Sequence, residues 1–277
     1  MKHDAKSIYK YGCDYLNDLP ESEIEVKYIV SDVLGISFSD IFIKRDVTVS
    51  FLQFLKINSL LRKRKSGKPI QYVLGHTEFF GYTYFCDVRA LIPRAETEML
   101  CEKALHFTNK NDRVLDLCTG TGCIGITLKN QNESLSVTCC DISRRALKLA
   151  KKNKNHHGVD ITLKKSDLFE NIDGHFDMIV SNPPYINETD YAALDKKVLD
   201  HEPKNALVSG HDGLDLIRII VNQAYDILCP GGYLIIEIGY DQRKRVEDLL
   251  ISNGYKEILA FSDYANFDRI VMARKIV

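Results

Sequence analysis

A strand, a glycine-rich turn and a helix follow one another without a gap over residues 113–128, and few architectures accept that order. Arg113-Val114-Leu115-Asp116-Leu117 is a short apolar run of strand type, and Cys118-Thr119-Gly120-Thr121-Gly122-Cys123-Ile124-Gly125 turns the chain into Ile126-Thr127-Leu128. Gly120 and Gly122 let the backbone turn sharply and approach a ligand with no Cβ in the way. An α/β nucleotide-binding unit opens in this manner. A second strand, Ser136–Cys140, ends at Asp141, whose carboxylate can accept hydrogen bonds from both hydroxyls of a ribose. Ser143 reads as the N-cap of the next helix, with Ala146, Leu147 and Ala150 on its inner face. From Leu91 onward strands and helices alternate, which implies a mostly parallel sheet with helices on both faces. The last strand, Phe267–Met272, is expected to run antiparallel if the sheet resembles those of S-adenosylmethionine-dependent methyltransferases.

Two cofactors fit the glycine segment. Gly120-x-Gly122-x-x-Gly125 matches a dinucleotide fingerprint, with Asp141 at the distance an NAD-dependent oxidoreductase needs. Asp116-x-x-x-Gly120-x-Gly122 equally fits the acidic loop of methyltransferases that use S-adenosylmethionine. Residues Asn182-Pro183-Pro184-Tyr185 separate the two. They close the apolar run Phe176–Ser181, which reads as a buried parallel strand. Two prolines cannot donate to a ladder and hold φ near −65°, so the strand must stop in a stiff corner. That corner presents an amide side chain, carbonyls and an aromatic ring, a device for gripping a planar NH2-bearing group. Pro-Pro after a strand is ordinarily a mere turn; the glycine loop upstream gives it chemical meaning. Hydride transfer has no use for such a corner, whereas methyl transfer to an amino group does.

In these motifs, and in Gln71–Gly75, Leu91-Ile92-Pro93-Arg94-Ala95-Glu96-Thr97-Glu98, Ser166-Asp167-Leu168-Phe169, Glu202-Pro203 and Glu237-x-Gly239-x-x-Gln242, the chain resembles the HemK/PrmC protein-(glutamine-N5) methyltransferases. The Asn-Pro-Pro-Tyr tetrad is shared with DNA and RNA amino-methyltransferases, while the Pro93–Glu98 stretch with an N-terminal extension is more specific. The resemblance implies a Rossmann-like class I methyltransferase domain over 91–277, a helical substrate-recognition domain over 1–74 and a β-hairpin linker over 75–90. It implies S-adenosylmethionine as cofactor, S-adenosylhomocysteine as product, and transfer to the glutamine N5 of the Gly-Gly-Gln motif in class 1 peptide chain release factors. Cofactor binding carries onto Asp116, Cys118, Thr119, Gly120, Thr121, Gly122, Asp141, Ile142, Asp167, Leu168 and Asn182. Substrate binding carries onto Asn182, Pro183, Pro184, Tyr185 and Glu202, with Asn182, Pro183 and Tyr185 in catalytic roles. Two departures are visible. Cys118 stands where many relatives carry the loop's first glycine, and Leu168 where some have tryptophan beside the adenine.

A carboxamide nitrogen is a poor nucleophile because its lone pair is delocalised, so methylating it needs orientation and charge stabilisation more than a strong base. The Asn182 side-chain oxygen and the Pro183 carbonyl are both acceptors and suit the two N–H bonds of the amide. Both bonds strengthen as positive charge grows on nitrogen, which is differential binding of the transition state. Tyr185 is expected to lay its ring face on the flat amide.

The formal net charge is −1, so no overall basic field draws the chain to nucleic acid. The charged start Met1-Lys2-His3-Asp4 has no signal-peptide pattern, and no stretch suits a bilayer; a cytoplasmic monomer is expected. Eight cysteines without a C-x-x-C pair read as buried free thiols. His156-His157 ends a Lys-rich helix, where a cation suits the dipole, and lacks partner ligands, so no metal is expected. In the N-terminal part, Ile24, Tyr28 and Ile29 to Val33 recur at helical spacing before Gly35, and Phe51, Phe54, Leu55 and Leu61 form a second core stripe. Arg62-Lys63-Arg64-Lys65 reads as a solvated helix end, or secondarily as a contact for an acidic or RNA surface. Glu78–Phe85 suggests a β-hairpin, and the polar stretch between Ile186 and Ala206 a lid or a surface loop. Two other functions stay open at this point. One is methylation of an exocyclic amine on adenine or guanine in DNA or RNA, which requires base flipping and usually a basic cleft. The other is a non-catalytic S-adenosylmethionine-binding adaptor, which would need no amide clamp.

Overall fold

The computed structural model describes residues 3–44 and 46–276, which divide into two compact units. The first comprises residues 1–75 together with Lys196–His201. It holds β1 (His3–Asp4), α1 (Ala5–Tyr15), α2 (Ser22–Leu34), α3 (Asp40–Ile43), β2 (Thr48–Val49), α4 (Phe51–Lys65) and α5 (Ile70–Leu74). Local chemistry sets the helix ends. Asp4 caps α1 by accepting from the Ser7 amide at 2.7 Å, and Ser50 with Gln53 forms a reciprocal capping box on α4. Gly35 ends α2 in a left-handed turn, as its position in the sequence foretells. Ile8, Val26, Ile29, Ile57 and Leu61 fill the core between these helices.

The faces differ from those expected. Ile24, Tyr28, Phe51 and Leu55 are exposed, and the side chains turned inward are Glu25, Val26, Ile57, Leu60 and Arg64. Arg64 is no solvated cation: it is fully buried, with Nε donating to Glu25 Oε2 at 2.7 Å. Its long side chain spans the core and neutralises the acid there, a pairing that a basic run in the sequence conceals.

The second unit, residues 76–195 and 202–277, opens with the hairpin β3 (His76–Phe79) and β4 (Tyr82–Phe85), turning through Phe80 and Gly81. Then follow α6 (Ala95–Phe107), β5 (Arg113–Leu117), α7 (Cys123–Gln131), β6 (Ser136–Asp141), α8 (Arg144–His157), β7 (Thr162–Lys165) and β8 (Phe176–Ser181). After them come α9 (Glu188–Ala192), α10 (Lys196–His201, counted with the first unit), α11 (Asp215–Ile227), β9 (Leu228–Glu237), α12 (Arg243–Ser252), β10 (Lys256–Ser262) and β11 (Asp268–Arg274). Seven strands form one sheet in the order β10-β11-β9-β8-β5-β6-β7, with only β11 reversed. This is the expected Rossmann-like methyltransferase sheet. Apolar side chains cover both faces: Ile217, Ile220, Val246 and Leu250 of α11 and α12 on one, Leu100, Ala104, Ile124 and Leu128 of α6 and α7 on the other.

Several local expectations need correction. β9 begins at Leu228, not Tyr233, because Pro230-Gly231-Gly232 is absorbed as an irregularity in the ladder to β8. Leu149 rather than Leu147 is fully buried under α8. His157 is half-buried: its Nε2 lies 3.0 Å from the Thr83 carbonyl, its ring stacks on Tyr84, and burial lowers its pKa, so it is not a cation at a helix end. The 187–206 stretch carries short helices, and its base is pinned where Ile186 bridges to Val208. Among the described residues no helix is long and apolar enough to cross a membrane.

Candidate active site

From β5 the chain proceeds outward to β6 and β7, then crosses back to place β8 and β9 on the other side. The order of the strands therefore reverses between β5 and β8, and a crevice opens at their carboxyl ends, where open α/β sheets bind ligands. A cavity of about 280 Å³ lies there. Cys118, Thr119, Gly120 and Thr121 line it after β5, Asp141 and Ile142 after β6, Asp167 and Leu168 after β7, and Asn182 and Pro184 after β8.

The glycine loop is shaped by its own backbone. Cys118, Gly120 and Gly122 all have left-handed φ, of 58°, 56° and 83°. The Thr119 amide donates to the Cys140 carbonyl at 3.0 Å, tying the turn to β6. Gly122 does not line the cavity: a Cβ there would meet Ile126 at 3.0 Å and Ala150 at 3.2 Å, so it serves packing and the turn. Gly125 is tighter still, since a Cβ would fall 2.2 Å from Cys139 Sγ.

Asp116 also stands away from the cavity. It is fully buried, and its Oδ2 accepts from Thr119 Oγ1 at 2.5 Å and from the Gly125 amide at 3.0 Å, bracing the loop from below. Burial pushes its carboxyl up to about 7. Asp141 is the carboxylate the cavity can use. Its Oδ2 accepts from the Gly120 amide at 2.9 Å and its Oδ1 from the Ser143 amide at 2.8 Å. Two of roughly four acceptor sites remain for a ligand's hydroxyls.

The donor set suits an adenosyl sulfonium better than a dinucleotide. Leu168, Ile124 and Leu216 make apolar walls, and Asp141 and Asp167 put negative charge beside them. The two arginines on the lining are already paired, Arg89 with Asp87 at 2.7 Å and Arg94 with Glu202 at 2.6 Å. No unpaired guanidinium on the lining awaits a pyrophosphate.

At the end of β8, Ser181 Oγ donates to the Leu117 carbonyl at 3.0 Å and locks the two central strand ends together. The Tyr185 carbonyl accepts from Gln242 Nε2 at 2.8 Å, and Gly213 packs so close that a Cβ would stand 2.3 Å from it. Asn182 Nδ2 donates to Thr97 Oγ1 at 3.0 Å, and Thr97 Oγ1 donates to Glu237 Oε2 at 2.8 Å. Tyr185 OH donates to the other oxygen of Glu237 at 3.2 Å. Glu237 is buried, and desolvation pushes its carboxyl up to about 7.

Two expected substrate contacts, Tyr185 and Glu202, are placed otherwise. Tyr185 does not line the cavity; its ring packs on the core and its hydroxyl is held by Glu237, which removes it from stacking on a bound amide. Pro183 is buried and its ring is off the lining, so any part it plays is through its main-chain carbonyl at the corner. Glu202 spends its buried carboxylate on the Ile92 amide and Arg94, so it shapes the wall through them and does not meet a substrate. The residues whose role the sequence reading missed are Thr97 and Glu237. A carboxylate closing the apolar run Tyr233–Ile236 was the available signal. Among the described residues no group of three or more His, Cys, Asp or Glu could hold a metal ion.

The family model "Methyltransferase small domain" matches residues 96–212, and "PrmC N-terminal domain" matches residues 7–75. A release factor glutamine methyltransferase of Fusobacterium nucleatum is 35% identical over 285 residues, covering 100% of this chain and 80% of its own length. One from Clostridium botulinum is 36% identical over 275 residues, covering 97% of each. Among solved structures, a methyltransferase from Pyrococcus furiosus superposes with a TM-score of 0.55 at 18% identity, covering 72% of this chain and 91% of that one, and shares the fold.

Proposed function

The chain belongs to the release factor glutamine methyltransferase family, and from that premise we propose that it methylates the side-chain N5 of the Gly-Gly-Gln glutamine in class 1 peptide chain release factors, with Asn182 and the Pro183 carbonyl as the amide clamp. The enzyme is an S-adenosylmethionine-dependent protein-glutamine methyltransferase. The observation that carries the site assignment is that the Asn182 side chain and the Asp141 carboxylate line one cavity at the sheet's switch point. When bound, S-adenosylmethionine supplies an electrophilic methyl group on a sulfonium. The Asp141 carboxylate would hold the ribose through its hydroxyls, and Leu168 and Ile142 would give the adenine apolar walls. Asn182 Oδ1 accepts one N–H of the glutamine amide and the Pro183 carbonyl the other, so the nitrogen lone pair faces the cofactor side of the cavity. Both acceptors gain strength as charge develops on nitrogen. The protonated N-methyl amide then loses its proton to water, and no general base is invoked.

Methyl transfer from labelled S-adenosylmethionine to purified release factors, with a Gly-Gly-Gln→Gly-Gly-Ala substrate as control, tests this reading. Label should enter the intact factor and vanish with the control; label entering only nucleic acid would overturn it. We further propose that the enzyme works in the cytoplasm as a monomer, checked by sedimentation of the active species.

A further inference from the structure

Thr97 has one hydroxyl proton and two neighbours, Glu237 Oε2 at 2.8 Å and the Asn182 amide at 3.0 Å. A carboxylate only accepts. With Glu237 ionised, Thr97 therefore gives its proton to it, and Tyr185 gives its own to the opposite carboxylate oxygen at 3.2 Å. The Thr97 oxygen is then an acceptor towards Asn182, which has to present Nδ2 to it. An amide is planar, so presenting Nδ2 to Thr97 turns Oδ1 away from it. Glu237 lies behind this chain of bonds, 1% exposed and off the cavity lining.

We infer that Glu237 is a positioning residue, acting through Thr97 to hold the Asn182 amide with its oxygen outward, and that this polarity selects a carboxamide over a carboxylate in the substrate. The inference rests on the clamp reading above. With Oδ1 outward the site accepts from an N–H donor, as a glutamine offers. With Nδ2 outward it would donate instead, and a glutamate side chain would be the better guest. The buried acid thus writes its acceptor character, two hydrogen bonds away, onto the group that meets the substrate. A neutral amide at position 237 reverses the logic: it can donate to Thr97, freeing the threonine proton for Asn182 Oδ1 and letting the amide turn over.

The test compares Glu237→Gln, Thr97→Val and Thr97→Ser with the wild type on a purified release factor. S-adenosylmethionine affinity is measured by calorimetry, and Gly-Gly-Gln and Gly-Gly-Glu peptides serve as competitors. Glu237→Gln and Thr97→Val should each lose roughly 10²-fold in kcat, the effect of one misdirected polar contact, with cofactor Kd within about threefold. Thr97→Ser keeps the hydroxyl and should restore near-normal kcat. Glu237→Gln should also lose the preference for the Gln over the Glu peptide. A folded, cofactor-binding Glu237→Gln with wild-type kcat and peptide preference would overturn the inference, as would a Thr97→Ser no better than Thr97→Val. Should Glu237→Gln fail to fold, the two threonine variants decide alone. A wild type that does not methylate the release factor defeats the clamp reading itself, and the relay with it.

Discussion

Two corners of one sheet meet in the cavity, and they are held by different means. The corner after β5 and β6 is made of main chain and steric fit: left-handed turns at Cys118, Gly120 and Gly122, amides fixing Asp141, and a glycine at 125 with no room for a methyl. The corner after β8 is made of side chains: Asn182, Thr97, Tyr185 and Gln242 strung to one another and to Glu237. A backbone-built corner tolerates exchange of side chains and resists added volume, while a side-chain relay fails at any link. Binding and chemistry should therefore separate on mutation.

What the corners share is a buried carboxyl, Asp116 under one and Glu237 under the other, each raised to about 7 by desolvation. Between about pH 4 and pH 7 the native state keeps these protons and the unfolded chain does not. Stability is thus full below the unfolded pKa values and falls as pH rises through 7. Each acid accounts for a loss on the order of 3–4 kcal/mol between pH 4 and 8. Urea unfolding across that range should show the decline, and Asp116→Asn and Glu237→Gln should each flatten it; a slope unchanged in both variants would place the titration elsewhere. For activity the sign is opposite at the clamp. A proton on Glu237 Oε2 removes the acceptor that Thr97 uses, so kcat should rise through neutral pH, with Glu96, Arg269 and the Tyr185 hydroxyl as the charged and titratable neighbours able to move that midpoint.

Asn182→Ala sharpens the contrast next. It should cost about 2–4 kcal/mol of transition-state stabilisation, seen as kcat, and leave cofactor affinity within a small factor. Asp141→Ala should do the reverse, weakening S-adenosylmethionine binding by about 1.5–3 kcal/mol in calorimetry through lost charged hydrogen bonds. Equal effects of both variants on Kd would erase the distinction between the corners. Gly125→Ala forces a methyl against Cys139 and should lower folding stability by about 1–3 kcal/mol, read from the urea midpoint.

The backbone-built corner was legible in the sequence because its requirements are local: glycines at fixed spacing, a strand before and a helix after. The strand alternation and the hairpin were legible for the same reason. The side-chain corner was only half legible. Asn182–Tyr185 announced themselves, but Thr97 and Glu237 meet across 140 positions, and no local pattern marks that pairing. An aromatic beside a clamp suggests stacking, whereas in the structure an acid remote in sequence, Glu237, holds the Tyr185 hydroxyl. Glu25 and Arg64 were hidden likewise, 39 positions apart. In α2 and α4 apolar residues occupy more than one face, so periodicity alone did not choose the inner side, and Ile24, Tyr28, Phe51 and Leu55 were assigned wrongly.

The smallest effect is expected where the corner carries a side chain that its backbone does not want. Cys118 holds a φ of 58°, a conformation that costs an L-residue roughly 1–2 kcal/mol and glycine little. Replacing it with glycine relieves that strain. The gain is offset by about 0.5–1 kcal/mol of added backbone freedom in the unfolded chain and by loss of packing against the core. The thiol supplies no chemistry to lose, since burial pushes it up to about 12 and keeps it protonated. Cys118→Gly should therefore leave cofactor Kd within about twofold and move Tm by only a few degrees, because stability changes under about 1 kcal/mol shift Tm by that much. A tenfold loss of affinity would mean that the Cys118 side chain, and not the turn it sits in, forms the cavity wall, and the corner would then be no more backbone-built than its neighbour.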